Sequence, residues 1–444
     1  MIEPAASPRP ALGFWSATAI VVANMIGTGV FTSLGFQVLG TPAVFPLLLL
    51  WVVGGVVALC GALCYGELAA AMPRSGGEYH YLSVIYHPAV GFLSGWASAT
   101  VGFAAPTALA ALALGEYVHR IYPEVSVRGL AAGVVVLFAL VHSRSAQVGG
   151  RVQIVLTALK VVAVLVLISA ALRPDVPVML PATGFAPAPG DWALVVSPAF
   201  AVSLVYVSYA YSGWNAAAYV TGEIENPQRT LPQVLLLGTA LVAALYVGLN
   251  YAFLRATPLP ELRGELEVGL LAARHLFVPS VATFMGLVIA ALLTSTISAM
   301  TFAGPRIVQT IGEDLPALHW LAHREPGSGV PLRALMVQTL LALAFVLSGS
   351  FRAVLVYAGF ILNLFTFLTV AGVLLLRQRR PDLPRPYRTW GYPITPLLFL
   401  ALSGWTLWFL LLNQPLESLA GLGTLLLGLP LYFWLTRRRV ASAT

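Results

Sequence analysis

The chain has 444 residues, of which 59% are hydrophobic and only 9% charged, with a net charge of +7. A soluble domain carries roughly 25% charged residues because its surface faces water, so a water-soluble enzyme is excluded and lipid is the solvent for most of this chain. The 40 glycines and 31 prolines agree, both being commoner in membrane helices than in soluble ones. The positive charge is arginine scattered among short loops, a pattern of membrane orientation; no nucleic-acid partner is expected.

Crossing ~30 Å of hydrocarbon takes roughly 20 apolar residues. In chain order that rule gives runs at 12–37, 44–70, 88–114, 127–142, 149–172, 193–220, 231–254, 278–308, 331–349, 352–377, 394–413 and 417–436. The expectation is an all-α integral membrane protein of about twelve helices. The fourth run is short, and only Gly349-Ser350 and their neighbours divide the ninth from the tenth. The N-terminal MIEPAASPRP lacks the basic segment, short apolar core and cleavage site of a removable signal, so the first span is expected to do the targeting. Cys60 and Cys64, four residues apart in the second run, read as packing residues and form no disulfide framework. With the N-terminus inside, sixteen arginines fall on the inner side and seven on the outer, so both termini are expected in the cytoplasm of a cell with this protein in its membrane, a bacterial inner membrane.

The first run, ALGFWSATAIVVANMIGTGVFTSLGFQ, carries Gly27-Thr28-Gly29 at its centre. Each glycine costs ~1 kcal/mol of helix propensity, and freed backbone groups find no water in lipid. Close helix crossing through small residues is one reading; a discontinuous helix lining a polar cavity is the other. The sixth run favours the second. It contains VYVSYAYSGWNAAAYV, with Tyr211-Ser212-Gly213 at mid-span, 185 residues beyond Gly27. Each interruption opens a block of five spans, and five is odd, so successive blocks lie inverted. Paired glycine-interrupted segments in corresponding halves are the sequence pointer to a transporter site. A helix restarting at Val30 and Phe31 presents the N–H groups of Thr28 and Gly29 at a positive dipole end, which suits a carboxylate. The carbonyls of Met25 and of Tyr209, Ala210 and Ser212 end the preceding half-helices and suit an ammonium. Carboxylate and ammonium at that separation describe an α-amino acid.

Four segments then resemble the amino acid–polyamine–organocation superfamily, and its L-type amino-acid transporter branch in particular. They are NMIGTGVF, CYGELAAAMPRSGGEYHYL (Cys64 to Leu82), YAYSGWNAAAYVTGEIENPQRTLP (Tyr209 to Pro232) and RRPDLPRPYRTWGYPITPLL. The resemblance covers nearly the whole chain. It implies the inverted five-plus-five repeat with broken helices one and six (the LeuT-like fold) and two trailing helices: residues 1–172, 193–377 and 394–444. It also implies amino-acid uptake or exchange by alternating access, with no cofactor. Carried over by position, Thr28 and Gly29 hold the substrate carboxylate, the carbonyls of Met25, Tyr209 and Ser212 hold its amine, and the Tyr209 ring is the gate. The eighth span departs from the family: it ends GPRIVQTIGEDLP, with Pro305 in place of a small residue, which leaves Ser295 and Ser298 unassigned as pocket residues.

Lys160 is the sole lysine, inside IVLTALKVVAVLVLI. Near mid-span a lysine costs ~3 kcal/mol and needs a partner, and at nine residues past Arg151 it stands ~13 Å along the helix, too deep to snorkel. Sodium-independent members that this chain resembles carry a lysine here in place of a sodium ion, so Lys160 is expected at the carbonyl end of the first break, around Gly27. Proton symport and obligate exchange both fit. Asn215 either faces the cavity or makes a helix–helix hydrogen bond; Asn24, Asn250 and Asn363 read as packing. Glu67 and Glu78 are expected to pair with Arg74 or a neighbour. The seven histidines fall in or near loops and suggest no metal site. The leading expectation is a carrier of neutral amino acids, since the cavity segments hold no acidic residue or arginine. A cationic amino-acid or polyamine carrier is the alternative within the fold, and a membrane sensor or channel the alternative outside it. No disulfide-linked heavy subunit is expected, because residues 115–128 contain no cysteine.

Overall fold

The structure, a computed structural model, describes residues 12–441 except 75, 145–148, 182–183, 315 and 326–328. The N-terminal segment read for a signal, with Arg9, lies outside the described residues. The regular structure is helical: α1 (Phe14–Met25), α2 (Gly29–Gly40), α3 (Val44–Ala71), α4 (Gly77–Ile85), α5 (Pro88–Ala97), α6 (Ala104–His119), α7 (Val127–Arg144), α8 (Gly149–Ala171), α9 (Asp191–Val195), α10 (Pro198–Tyr211), α11 (Ala216–Tyr219), α12 (Pro227–Ala256), α13 (Leu259–Leu262), α14 (Val268–Leu276), α15 (Pro279–Asp314), α16 (Leu332–Ser348), α17 (Phe351–Arg379), α18 (Ile394–Asn413) and α19 (Pro415–Ala441). Among the described residues nine helical stretches are long and apolar enough to cross a membrane, and three shorter apolar helices coincide with the fifth, sixth and ninth predicted runs.

Lipid and protein contacts sort the helices into a core and a rim. The α1–α2 span is 78% buried, whereas α7 is only 17% buried. Leu137 and Leu140 on α7, Val155 on α8 and Leu340 on α16 stand exposed, an apolar exterior that lipid tolerates and water would not. At the core α1 packs on α12 and α11, and α2 packs on α10. The two interrupted helices therefore run antiparallel, the first half of one beside the second half of the other. The segment ahead of α1 adds to this pairing, Leu12 N–H donating to the Glu223 carbonyl (2.9 Å) and Glu225 N–H to the Leu12 carbonyl (3.0 Å).

Several local expectations change. The third run is two α-helices joined through a π-helical turn at Ser98–Gly102, an insertion that hydropathy does not register. The eighth run continues straight through Pro305 to Asp314 instead of stopping near 308. Between the ninth and tenth runs the chain does divide at Gly349-Ser350, because the Ser350 hydroxyl caps α17 by accepting from Ala353 N–H (3.2 Å).

Glu67 and Glu78 do not pair with Arg74. The Glu67 carboxylate takes Arg377 (2.6 Å) and Arg385 (3.4 Å) and the Thr389 N–H (2.7 Å), joining α3 to the end of α17 and the loop beyond it. Glu78 takes no cation among the described residues, as set out below. The partners of Glu67 lie more than 300 residues away, and only tertiary packing could select them.

Candidate substrate site at two helix breaks

The first interruption is Ile26-Gly27-Thr28, one residue earlier than its sequence pattern suggests, because Gly29 is already the first residue of α2. Helix α1 closes with Ile26 N–H on the Val22 carbonyl (3.0 Å), and α2 opens with Phe31 N–H on the Thr28 carbonyl (3.1 Å). The first amides of α2 have no partner within their own helix and carry its positive end. The second interruption is Ser212 to Asn215, followed by the four-residue α11 and a 3-10 turn at Thr221–Glu223. Asn215 thus closes the break itself.

Two glycines press the breaks together. A methyl group on Gly29 would sit 2.5 Å from the Ala210 Cα, and one on Gly213 would sit 2.7 Å from the Asn24 carbonyl oxygen. Gly213 also has φ +99°, a left-handed conformation that side chains other than hydrogen disfavour. Gly27 is different: the nearest atom to a methyl there is the Thr296 Oγ1 at 3.7 Å, an ordinary contact.

The carbonyl ends meet side chains from three other helices. Lys160, 1% exposed, donates from Nζ to the Ile26 carbonyl (2.7 Å) and to Thr296 Oγ1 on α15 (3.0 Å). An ammonium at that spot neutralises the negative end of α1. The Tyr246 hydroxyl of α12 lies 2.5 Å from the Met25 carbonyl and 3.2 Å from the Ala210 carbonyl, so one proton is shared between the two breaks. The Tyr209 carbonyl accepts from the Ser212 N–H (3.0 Å) and hydroxyl (2.6 Å). Met25 and Tyr209, both expected to hold an amine, therefore already carry internal bonds, and the Met25 oxygen offers an incoming ammonium only its second lone pair. The Tyr209 ring is buried beside Thr28.

Of the residues expected at the site, Met25, Gly27, Thr28, Gly29, Tyr209, Ala210, Ser212 and Gly213 do come together around the two breaks, with Lys160 at their edge. Asn215 does not turn to an open cavity; its amide donates to the Glu78 carboxyl (3.0 Å). Ser298 bonds to His142 (2.9 Å) and is tied to α7, while the Ser295 hydroxyl is fully buried with no hydrogen-bond partner among the described residues. Ile26, Tyr246 and Thr296 were not legible as site residues. Each is an unremarkable member of an apolar span, and only the contact reveals it.

A model of the amino acid permease family matches residues 12–423. The chain belongs to the amino acid permease family. Among curated relatives of this permease, the "Large neutral amino acids transporter small subunit 2" of Mus musculus is 31% identical over 442 residues, covering 95% of this chain and 80% of the relative. The human "b(0,+)-type amino acid transporter 1" is 29% identical over 432 residues, covering 95% and 87%, and the mouse "Asc-type amino acid transporter 1" 29% over 451 residues, covering 96% and 82%. The permease is a multi-pass membrane protein, and the L-type resemblance read from its motifs agrees with these relatives.

Tyr246→Phe is expected to strip the shared donor from both the Met25 and Ala210 carbonyls, at roughly 1–3 kcal/mol, or about a ten- to hundredfold loss of the bridged geometry. Uptake by the reconstituted variant measures this; wild-type rates would remove Tyr246 from the site.

Proposed function

We propose that this permease carries neutral L-amino acids across the membrane by alternating access and without sodium. The observation that carries this reading is the Lys160 ammonium on the Ile26 carbonyl, a built-in cation at the break where an ion-coupled carrier would need a dissolved one. The substrate carboxylate would rest on the Thr28 hydroxyl and the amides of Thr28 and Gly29, and its amine on the Met25 carbonyl, which keeps one lone pair free, and the Ser212 carbonyl. The Tyr209 carbonyl, which accepts twice from Ser212, would join them on giving up one of those bonds. Neutral cargo is supported by the absence of Asp, Glu and Arg from both break segments, and by the neutral amino acids in one relative's printed name.

The proposed architecture has twelve crossings: an inverted pair of five-helix blocks over 1–172 and 193–377, then two trailing helices over 394–444. The antiparallel pairing of the broken helices supports it. Both termini are assigned to the cytoplasm on the arginine asymmetry. Although a relative's name calls that protein a small subunit, we propose that this chain takes no disulfide-linked partner. Its two cysteines are buried in α3, and the loop after α6 holds none.

Thermal-shift measurements against a panel of amino acids test the cargo. Leucine or another neutral amino acid is expected to stabilise the protein, by about 3 kcal/mol at a hundredfold excess over its dissociation constant. Stabilisation by arginine or putrescine alone would overturn the neutral assignment.

A further inference from the structure

Glu78 is a buried carboxyl that the transport site does not use. It sits in the first turn of α4, the short helix between α3 and α5, and is 4% exposed. Its Oε1 accepts from the Tyr65 hydroxyl (2.5 Å) and the Asn215 amide (3.0 Å), and its Oε2 lies 3.3 Å from the Tyr219 hydroxyl. One carboxyl therefore joins α3, α4 and both ends of α11. Glycine permits the approach: Gly77, φ +52°, has its Cα against the Tyr219 ring, where a methyl would come within 2.7 Å.

Among the described residues no cation faces this carboxyl. From α3 it meets Tyr65, while Glu67 further along pairs with Arg377 and Arg385. From α11 it meets Tyr219 and Asn215. The titratable groups nearest it on α4 are Tyr79, His80 and Tyr81, and Arg74 lies in the preceding loop. Helix α5 carries no titratable side chain, and Arg379 at the end of α17 donates instead to the Ile85 carbonyl (3.2 Å). The neutral acid fits this setting completely, with Oε1 accepting twice and the Oε2 hydrogen donated to the Tyr219 oxygen. The ionised form keeps hydrogen-bond donors but is a buried charge with no counter-ion among the described residues, which is unfavourable. Burial accordingly lifts the Glu78 carboxyl above the ordinary carboxylate range.

We propose that Glu78 is a pH-sensitive latch on the inner gate: its neutral carboxyl holds α11 against α3 and α4, and loss of its proton to cytoplasmic water releases α11. This rests on the alternating-access reading, in which α11 must leave its neighbours for the site to open inward. The sign follows from linkage. A carboxyl that binds its proton more tightly in the closed arrangement than in the open, hydrated one stabilises closure at low pH, and that stabilisation fades as pH rises. Glu78 is a positioning residue, acting on the site through Asn215 and Tyr219.

Hydrogen–deuterium exchange of residues 212–224 in the full-length, substrate-free protein tests the latch without relying on transport. After correction for the intrinsic pH dependence of exchange, protection in the wild type is expected to fall about tenfold or more between about pH 5 and about pH 8. Glu78→Gln, a neutral isostere that accepts and donates in the same pattern, should keep the wild type's low-pH protection throughout. His80→Gln should leave the profile unchanged. Should Glu78→Gln not fold, Tyr219→Phe removes the acceptor of the acid hydrogen, and its low-pH protection should drop to the wild type's high-pH level. A flat wild-type profile, or a wild-type profile retained in Glu78→Gln and in Tyr219→Phe, overturns the proposal. A titrating latch in a protein that transports no amino acid would sink the transport reading and leave the latch standing.

Discussion

Lys160→Ala is expected to reduce sodium-free amino-acid uptake by purified protein in liposomes to below about 1% of wild type. The change strips the donor from the Ile26 carbonyl and the Thr296 hydroxyl, both buried. Each unpaired group costs roughly 1–3 kcal/mol, and ~3 kcal/mol in the active geometry is already more than a hundredfold. Lys160→Met separates the two roles of the side chain, because it keeps the volume and removes the ammonium; it should fold better than the alanine variant and transport no faster. Lys160→Arg should not rescue, since a planar guanidinium does not fit a site in which the lysine is 1% exposed. A strict sodium requirement in the wild type, or near-normal uptake by Lys160→Met, would defeat the assignment of this lysine.

The three glycines of the breaks should behave unequally, although their sequence contexts look alike. Gly29→Ala and Gly213→Ala each force a methyl into backbone atoms, at 2.5 Å and 2.7 Å, where no side chain can swing aside. Overpacking of this kind costs roughly 1–3 kcal/mol, and at Gly213 the positive φ adds ~1–2 kcal/mol. Both variants should lose about tenfold or more of their folded, transport-competent protein, read as a lower melting temperature in detergent and lower uptake. Gly27→Ala meets only an ordinary contact, so its melting temperature should move by no more than a shift of ~0.5 kcal/mol implies. Uptake lost in a stable Gly27→Ala protein then reports contact with cargo rather than packing. Equal destabilisation of all three variants would contradict the geometry.

The interrupted helices were visible in the sequence because glycines at the middle of two apolar runs, in corresponding halves of the chain, work against helix propensity where lipid offers the freed backbone no partner. Lys160 was visible for a similar reason, since one lysine in lipid must be partnered; that its partner is the first break was implied only by the resemblance to sodium-independent transporters. Hydropathy placed the membrane runs within a few residues, since burial in lipid demands apolar side chains on every face. What it misplaced were local backbone events. The π turn at Ser98–Gly102 adds one residue to a helix of unchanged hydropathy, and α15 passes through Pro305 as far as Asp314.

Ionic and hydroxyl partners were the least legible features. Arg74 is the nearest arginine in sequence to both Glu67 and Glu78, yet Glu67 is paired across more than 300 residues with Arg377, and Glu78 is held by Tyr65, Asn215 and Tyr219. Tyr246 and Thr296 sit in largely apolar spans, and nothing local marks them.

The sequence by itself determined that this chain lives in lipid, that two of its helices are broken, and that one buried cation must find a partner. These follow from penalties that act residue by residue: charge in hydrocarbon, glycine in a helix, a backbone group without water. Tertiary structure alone decided which carbonyl Lys160 takes, that Tyr246 shares one proton between the two breaks, and that Glu78 is buried with hydroxyl and amide partners in place of a cation. Those outcomes depend on which helices pack together, and packing is set by the sum of many weak contacts that no single residue announces.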